Sequence, residues 1–358
     1  MKIKILKFLL IITLLGGAAY YFIYRETPFY IMTGNTMNTY YRITIRNSRN
    51  DTLLHNAVKN ELQQINAEMS VFEKMSDISQ FNQNSNTGWI DIPENLSHVL
   101  KAAYRVYTQT NGYFDPSVGA IIDLWGFGTN KTIKEPSKEE IKAALKNVGL
   151  NKIVFSADFR KAKKGNADIY INLSAIAKGY AVDRITKLLQ DNKYEDFLVD
   201  IGGEVRALGN RSENAQGWNV GIARPSMESV SDYEYIVRLQ NLSVATSGDY
   251  RNYYYIDGKR YSHTMDPKTG YPVEHELASV TVFADECMYA DALATGIMSM
   301  GEKRGLEFAN SHKLPIVMFV RTNETEFQTM VSNEGKILLE KIGISQNDTP
   351  QEESPKRD

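Results

Sequence analysis

The chain has 358 residues, of which 42% are hydrophobic and 23% are charged, and its formal net charge at pH 7 is −2. This is an ordinary globular composition, long enough for one large domain or two modest ones. The small net charge gives no indication of a nucleic-acid partner, and the single cysteine, Cys287, excludes an internal disulfide.

A basic and then apolar segment opens the sequence. "MKIKILK" precedes the uncharged run "FLLIITLLGGAAYYFIY" at 8–24, which is at the short end of what crosses a bilayer as a helix. Residues 1–31 are therefore predicted to be an uncleaved signal anchor with a short linker. The basic flank predicts a cytoplasmic N-terminus and a body on the periplasmic or extracytoplasmic side of the cytoplasmic (inner) membrane. No cysteine follows the run, which excludes a lipoprotein.

Helices and strands alternate after this segment. "TYYRITI" alternates as a strand does, and apolar residues at spacings of three and four predict an amphipathic helix over 52–69. A second helix through "NLSHVLKAAYRVYTQT" is stopped by Asn111-Gly112. Ser137 and Glu140 form a capping box ahead of "IKAALKNV".

The second half of the chain continues the alternation. "RKAKK" at 160–164 is typical of a solvated hairpin, and "INLSAIAKGYAVDRI" at 171–185 reads as a strand running into a helix start. "NYYYIDGKRYSH" predicts a hairpin around a tight Asp257-Gly258 turn. The remaining predicted elements are a buried strand in "DFLVDIGG", strands near 218–223 and 233–241, a strand in "ASVTVFA" and a helix at 286–300.

These elements predict a mixed α/β (α+β) fold with one compact, two-lobed body. The body is expected to span 32–343, followed by a disordered polar tail at 344–358. The sequence has neither a P-loop nor a dinucleotide fingerprint, and no histidine pair has zinc spacing.

Four stretches carry residue types that catalysis uses. "TNGYFDPSVGAIIDLWGFG" places an acid in a turn. Lys178 falls in the first turn of a helix, whose free N–H groups suit a phosphate. Asp291 and Thr295 are four residues apart on one helix face, which suits a sparse magnesium site. His263 ends the tyrosine-rich hairpin. Each also has an ordinary alternative, such as a solvated lysine or a threonine bonded back to a carbonyl.

In its ordered set of motifs the sequence resembles the ApbE-type family, the FAD:protein FMN transferases. The motifs are "MSVF", "GYFDPSVGAIIDLWGFG", "NLSAIAKGYAVD", "LVDIGGEVRALG", "SHTMDPKTG" and "ADALATG", and the resemblance runs from 34 to about 301. It implies an ApbE-like FAD-binding domain that cleaves FAD with Mg²⁺ or another divalent metal and releases AMP. FMN would be attached through a phosphoester to a threonine or serine of an exported redox protein, such as a subunit of a membrane redox complex.

The resemblance also implies roles for individual residues. The metal would be held by the Ala175 carbonyl, Asp291 and Thr295, with Asp291 expected on the surface of its helix. Many members have aspartate at Asn172, and some have a second acid at Ala294, so Asp291 is the sole carboxylate ligand from its segment here. The residues implied to contact the cofactor are Met37, Phe72, Tyr113, Phe114, Asp115, Asn172, Lys178, His263 and Thr264.

His263 is the candidate catalytic residue. The hydroxyl that attacks the FMN-side phosphorus needs a proton acceptor, and histidine is the usual general base near neutral pH. A purely structural hydrogen bond is the alternative for His263. Two alternatives to the transferase also stay open: a Mg-dependent FAD pyrophosphatase giving FMN and AMP, and a non-catalytic exported flavin-binding protein.

Overall fold

The structure is a computed structural model that describes residues 29–345 except 49, 214, 226–232, 251 and 324. It is a mixed α/β fold, as predicted. Within the described residues there are nine α-helices: α1 (Thr52–Met69), α2 (Asp77–Gln83), α3 (Glu94–Gln109), α4 (Gly119–Leu124), α5 (Lys138–Leu145), α6 (Ala177–Asp191), α7 (Cys287–Met300), α8 (Glu302–Ser311) and α9 (Asn333–Ile342).

The strands form one large antiparallel sheet and three small ones. In chain order they are β1 (Phe29–Thr36), β2 (Thr39–Arg46), β3 (Ile90–Asp91), β4 (Ile153–Phe155), β5 (Lys161–Lys164), β6 (Phe197–Ile201), β7 (Glu204–Leu208), β8 (Trp218–Ala223), β9 (Tyr233–Leu239), β10 (Leu242–Gly248), β11 (Tyr253–Ile256), β12 (Lys259–Ser262), β13 (Leu277–Ala284), β14 (Ile316–Arg321), β15 (Phe327–Val331) and β16 (Ile344–Ser345). The eight-stranded sheet has the order β1-β2-β6-β7-β10-β13-β14-β15, and the small sheets are β11-β12, β16-β9-β8 and β3-β5-β4.

Strands β13 and β14 of the large sheet are buried on both faces. Successive side chains of a strand point to opposite faces, and β14 shows the consequence. Its Ile316 and Met318 join the main core with α1, α3, α6 and α7, whereas Val317 and Phe319 join a second core with β8, β9 and α9. The sheet therefore separates two apolar layers, and α6 and α7 lie on the same side of it.

A third, smaller core carries the β11–β12 hairpin. Trp125 is fully buried there, and its indole N–H donates to the Gly270 carbonyl at 2.9 Å. The Trp125 ring lies 5.1 Å from the Tyr261 ring, and Phe127 stacks on Tyr254 at 4.5 Å between centroids. The aromatic end of "GYFDPSVGAIIDLWGFG" thus fixes the hairpin that precedes His263.

Strongly periodic elements match the sequence predictions. α1 has the predicted bounds, and both hydrogen bonds of the Ser137 and Glu140 capping box are present. The predicted strand at the start of 171–185 is wrong. There the side-chain amide of Asn82 donates to the Ile171 carbonyl and accepts from the Ile171 N–H, both at 2.8 Å. A side chain therefore satisfies the backbone groups that a neighbouring strand would otherwise bind.

The prediction of a solvated hairpin at 160–164 is only partly right. Residues 161–164 form β5, which pairs with β4, but Lys164 is fully buried. Its ammonium donates to the carbonyls of Phe81 and Asn82, each at 3.2 Å, and of Ala167 at 2.9 Å. Lys164 therefore joins the β5 strand to the end of α2.

We expect Lys164→Ala to destabilise the fold by about 2–4 kcal/mol, because it leaves a void and removes a charged donor from three carbonyls. Lys163→Ala is the matched control, since the exposed Lys163 side chain is the neighbour on the same strand; its effect should stay within about 0.5 kcal/mol. Urea unfolding of both variants measures the difference. Equal, small effects would show that the buried ammonium contributes nothing to stability.

The predicted anchor and tail lie almost entirely outside the described residues. Residues 29–31 belong to β1, and Ile344 and Ser345 pair with β9 as strand β16. None of the helices in the described part of the chain has the length and apolarity needed to cross a membrane.

Candidate functional site

A cavity of about 600 Å³ opens between α1, the loop that follows it and the N-terminus of α6. Its size suits a cofactor-sized ligand. Three residues implied by the sequence line it: Met37, Phe72 and Lys178. Phe72 is 46% exposed and Met75 is 80% exposed, so the cavity has an apolar outer rim.

A buried charge cluster lies at the α6 end of this cavity. The Lys178 ammonium is 2.7 Å from Glu204 Oε1 and 3.9 Å from Asp291 Oδ1. The side chains of Glu204 and Asp291 are 3% and 4% exposed, whereas that of Lys178 is 29% exposed. Lys178 therefore joins the cavity surface to two carboxylates behind it.

The cluster keeps Lys178 charged. Burial alone would lower the pKa of Lys178, but the carboxylates of Asp291 and Glu204 outweigh burial and raise it. Burial raises the pKa of the Glu204 carboxyl, with Lys178 opposing the rise. An ammonium with two acidic neighbours stays protonated, so Lys178 presents a permanent positive charge to the cavity.

Asp291 lies at the contact between α6 and α7, so the expectation that it lies on a helix surface is wrong. Its Oδ2 accepts the Gly179 N–H at 2.9 Å. A Cβ on Gly179 would lie 2.5 Å from the Cys287 carbonyl oxygen, so only glycine permits this approach of the two helices. Helical spacing placed Asp291 beside Thr295 but could not tell which neighbour covers that face.

Three oxygen donors implied to bind the metal are of the chemical type that a small hard cation prefers. Thr295 Oγ1 lies 3.2 Å from Ser247 Oγ, and Asp291 is one helical turn earlier on α7. Ala175 belongs to the turn before α6, close in sequence to Lys178. Carboxylate, hydroxyl and carbonyl oxygens suit Mg²⁺, which keeps several waters or substrate oxygens as further ligands. Among the described residues no group of three or more His, Cys, Asp or Glu side chains could hold a metal, so such a site has few protein charges.

His263 has a defined tautomer. Its Nδ1 lies 3.0 Å from the Asn252 carbonyl oxygen, which can only accept, so Nδ1 carries the proton and Nε2 of the neutral ring holds a free lone pair. Burial lowers the pKa of His263, although the Asn252 carbonyl and Asp249 oppose this. Part of the ring surface remains accessible. His263 is therefore a neutral imidazole near pH 7 with Nε2 able to accept a proton.

An ion cluster fixes the hairpin that carries His263. Asp249 is buried, with 4% of its side chain exposed, and lies 3.0 Å from Arg260 Nη1 of β12. Its other carboxylate oxygen pairs with Arg321 at the end of β14. The hairpin that precedes His263 is thus tied to the large sheet.

Asp115 and Asn172 lie in two loops that contact each other. Asp115 Oδ1 accepts the Ser117 N–H at 2.9 Å and the Ser117 hydroxyl at 2.6 Å. The Asn172 N–H donates to the Pro116 carbonyl at 2.7 Å, and Asn172 Oδ1 accepts the Ser174 N–H at 2.9 Å. An aspartate could accept the last bond equally well, so the amide at this position preserves the loop geometry.

The pH dependence of stability tests the burial of Asp115. Burial raises its pKa from 3.8 to about 6, so the folded state binds this proton more tightly than the unfolded state. The associated stability is fully present below pH 4 and is lost as the pH rises through 6. Asp115→Asn removes this loss, so its stability relative to the wild type should improve by about 2 kcal/mol between pH 4 and pH 7. Urea unfolding at both pH values measures it.

Asp158→Asn is the control for this experiment. Hydrogen bonds from the Ser156 hydroxyl and the Arg160 N–H lower the pKa of the exposed Asp158. The ionised Asp158 carboxylate stabilises the fold at pH values above its unfolded pKa. The stability of Asp158→Asn relative to the wild type should therefore decrease as the pH rises. A relative stability of Asp115→Asn that does not change with pH would contradict the raised pKa.

Comparison with known proteins identifies the family of the chain. The ApbE family profile matches residues 37–318. The chain belongs to the ApbE family. It is 36% identical over 324 residues to the FAD:protein FMN transferase of Haemophilus influenzae, covering 88% of this chain and 93% of that protein. It resembles the flavin transferase ApbE from Vibrio cholerae with a TM-score of 0.80 and 34% identity, over 87% of this chain and 100% of that one. The apo flavinyl transferase ApbE of Pseudomonas stutzeri gives a TM-score of 0.79 and 31% identity, over 88% and 98%.

Six of the nine residues that the ApbE resemblance implied to contact the cofactor lie outside the cavity lining: Tyr113, Phe114, Asp115, Asn172, His263 and Thr264. Phe114 is 1% exposed and packs against Gly296 in the main core. Tyr113 is partly exposed, with the Lys268 ammonium 4.4 Å from its ring. Thr264 is buried, and its carbonyl accepts the Val273 N–H at 3.0 Å. Phe114 and Thr264 support the loops around the site, and their cofactor contacts stay predictions.

Two residues that contact the candidate site were missed by sequence reasoning. Glu204 follows two glycines in "DIGGE", and this acid directly after a turn was its only local signal. Ser247 had no local signal in the sequence, because it contacts Thr295 only through the packing of α7 on β10. Both contacts join residues far apart in the chain.

Proposed function

We propose that this protein is a FAD:protein FMN transferase. The observation that carries the proposal is the position of Lys178. It lines the 600 Å³ cavity and lies 3.9 Å from Asp291, the proposed metal ligand. A flavin in the cavity would thus have its pyrophosphate beside the charged ammonium of Lys178 and the oxygen donors of α7. The names of the relatives in the ApbE family support the same reaction.

Asp291, Thr295 and the Ala175 carbonyl would hold Mg²⁺ or another divalent cation. When bound, such a cation supplies positive charge that offsets the charge building up on the phosphates. Lys178 adds a permanent positive charge at the start of α6, where free N–H groups also suit a phosphate. These residues bind and orient the FAD pyrophosphate.

His263 accepts the proton of the attacking hydroxyl in this proposal. A threonine or serine hydroxyl of the acceptor protein forms the new bond to the FMN-side phosphorus, and the bond to the AMP oxygen breaks. Because Nδ1–H is bound to the Asn252 carbonyl, Nε2 is the atom that takes the proton. The products are the FMN phosphoester on the acceptor and free AMP.

One incubation separates this function from the two alternatives. The protein is mixed with FAD, Mg²⁺ and a candidate acceptor peptide, and flavin fluorescence on the peptide is followed together with FMN and AMP in solution. Labelled peptide with AMP supports the transferase. FMN and AMP without labelling would identify a pyrophosphatase, and unchanged FAD would identify a flavin-binding protein that turns nothing over.

We also propose that the acceptor is an exported redox protein and that residues 1–31 anchor the enzyme in the cytoplasmic membrane. The basic residues before the apolar run at 8–24 support this orientation. Full-length protein should pellet with membranes, resist a salt wash and be accessible to protease from outside the cytoplasm. Recovery of only a shortened soluble form would overturn the anchor.

A further inference from the structure

Glu204 has no part in the reaction described above, yet it is as deeply buried as Asp291. One of its oxygens, Oε1, is 2.7 Å from the Lys178 ammonium. The other, Oε2, is buried without a hydrogen-bond partner among the described residues. A buried carboxylate is retained at a cost in desolvation, so its contact with Lys178 calls for an explanation.

Lys178 has two carboxylates within reach and is closer to one of them. It is at hydrogen-bonding distance from Glu204, but 3.9 Å from Asp291 Oδ1 is too far for a hydrogen bond. The other oxygen of Asp291 is held by the Gly179 N–H. An ammonium on a flexible four-carbon stem that moved to Oδ1 would compete with a cation for that oxygen.

The backbone that carries Glu204 is rigid. Ile201 and Glu204 are paired across a two-residue turn in which Gly202 and Gly203 have φ values of +65° and +101°. A Cβ on Gly202 would lie 2.7 Å from the Thr39 side chain. The strand that follows, β7, lies between β6 and β10 inside the large sheet. Glu204 thus offers a fixed partner to a flexible lysine.

We propose that Glu204 is a positioning residue that holds the Lys178 ammonium away from Asp291 and so keeps Asp291 available to a divalent cation. This inference rests on the proposed function, because it assumes that Asp291 binds the cation. It assigns Glu204 an effect on the metal that acts through Lys178 and requires no direct ligation.

A double-mutant cycle on metal affinity tests this inference. The probe is Mn²⁺, with free Mn²⁺ measured by electron paramagnetic resonance in the presence of saturating FAD and without acceptor protein. Glu204→Gln should weaken Mn²⁺ binding by about 10–100-fold, the usual range for residues that support metal ligands. In a Lys178→Met background the same Glu204→Gln change should have little effect, because the competing ammonium is gone. Circular dichroism confirms that each variant is folded.

Two comparisons decide the result. If Glu204 acts only through its charge or as a ligand, Glu204→Gln weakens binding equally in both backgrounds, and the inference is overturned. Unchanged affinity in Glu204→Gln overturns it as well. Asp183→Asn removes another carboxylate from the contact between α6 and α7, outside the cavity lining, and should leave Mn²⁺ affinity nearly unchanged. A wild type that binds no Mn²⁺ with FAD present would overturn the proposed function itself, and the inference with it.

Discussion

Asp291→Asn should lower Mg²⁺-dependent flavin transfer by about 10³-fold or more, because a metal contributes several kcal/mol to stabilising the transition state. Asparagine is the informative replacement, since Asp291 is buried and its Oδ2 accepts the Gly179 N–H. The amide oxygen can keep that bond, whereas alanine would leave the N–H unpaired. The measurement is flavin fluorescence on the acceptor after denaturing electrophoresis, across a Mg²⁺ titration.

Asp183→Asn is the matched control for Asp291→Asn. Asp183 also joins α6 to α7, because its two carboxylate oxygens accept the N–H groups of Cys287 at 2.9 Å and Met288 at 2.8 Å. Its replacement removes a carboxylate between the same helices but no proposed metal ligand. The partial loss of a helix cap should lower the free energy of unfolding by about 1 kcal/mol. Transfer by this variant should stay near the wild-type rate at high Mg²⁺. Full activity of Asp291→Asn at ordinary Mg²⁺ would rule out Asp291 as the metal ligand.

Local patterns predicted most of the fold's longer elements. The 52–69 helix and the Ser137 capping box depend on residues three and four apart, and the structure has both. The segment at 171–176 depends on Asn82, far away in sequence, whose amide replaces a neighbouring strand. Sequence periodicity reports only on the segment in which it occurs, so it cannot predict a contact that a side chain distant in sequence supplies.

The candidate site, like the fold, could be predicted from the sequence only in part. Lys178, Asp291 and Thr295 could be selected because each belongs to a short motif with its own chemical logic. The meeting of Lys178 with Asp291 could not be derived from spacing, because it depends on Gly179 allowing α6 to approach α7. Glu204 enters from a strand of the large sheet. The sequence thus indicated the residue types of the site, and the packing of three elements determined which of them interact.

His263→Ala should lower the transfer rate by about 10²–10⁴-fold, the usual range for the loss of a general base. FAD affinity should change little, because His263 is not among the residues that line the cavity. Those residues belong to the turn between β1 and β2, to α1 and the loop after it, and to the start of α6. In the wild type, burial lowers the pKa of His263, so Nε2 is available at pH 7. The wild-type rate should therefore be level near neutral pH and decline only below the ordinary histidine range.

The pH profile distinguishes a general base from a structural histidine. In His263→Ala the residual rate should rise with pH, because ionisation of the acceptor hydroxyl replaces the missing base. His275→Ala is the control, since His275 Nε2 also bonds a backbone carbonyl, that of Met298, at 2.7 Å. That variant should lose stability without changing the pH profile. FAD affinity, melting temperature and the pH–rate profile are measured on both variants. If the rate and FAD binding of His263→Ala fall in proportion, with the wild-type pH dependence retained, His263 is a structural residue and another group accepts the proton.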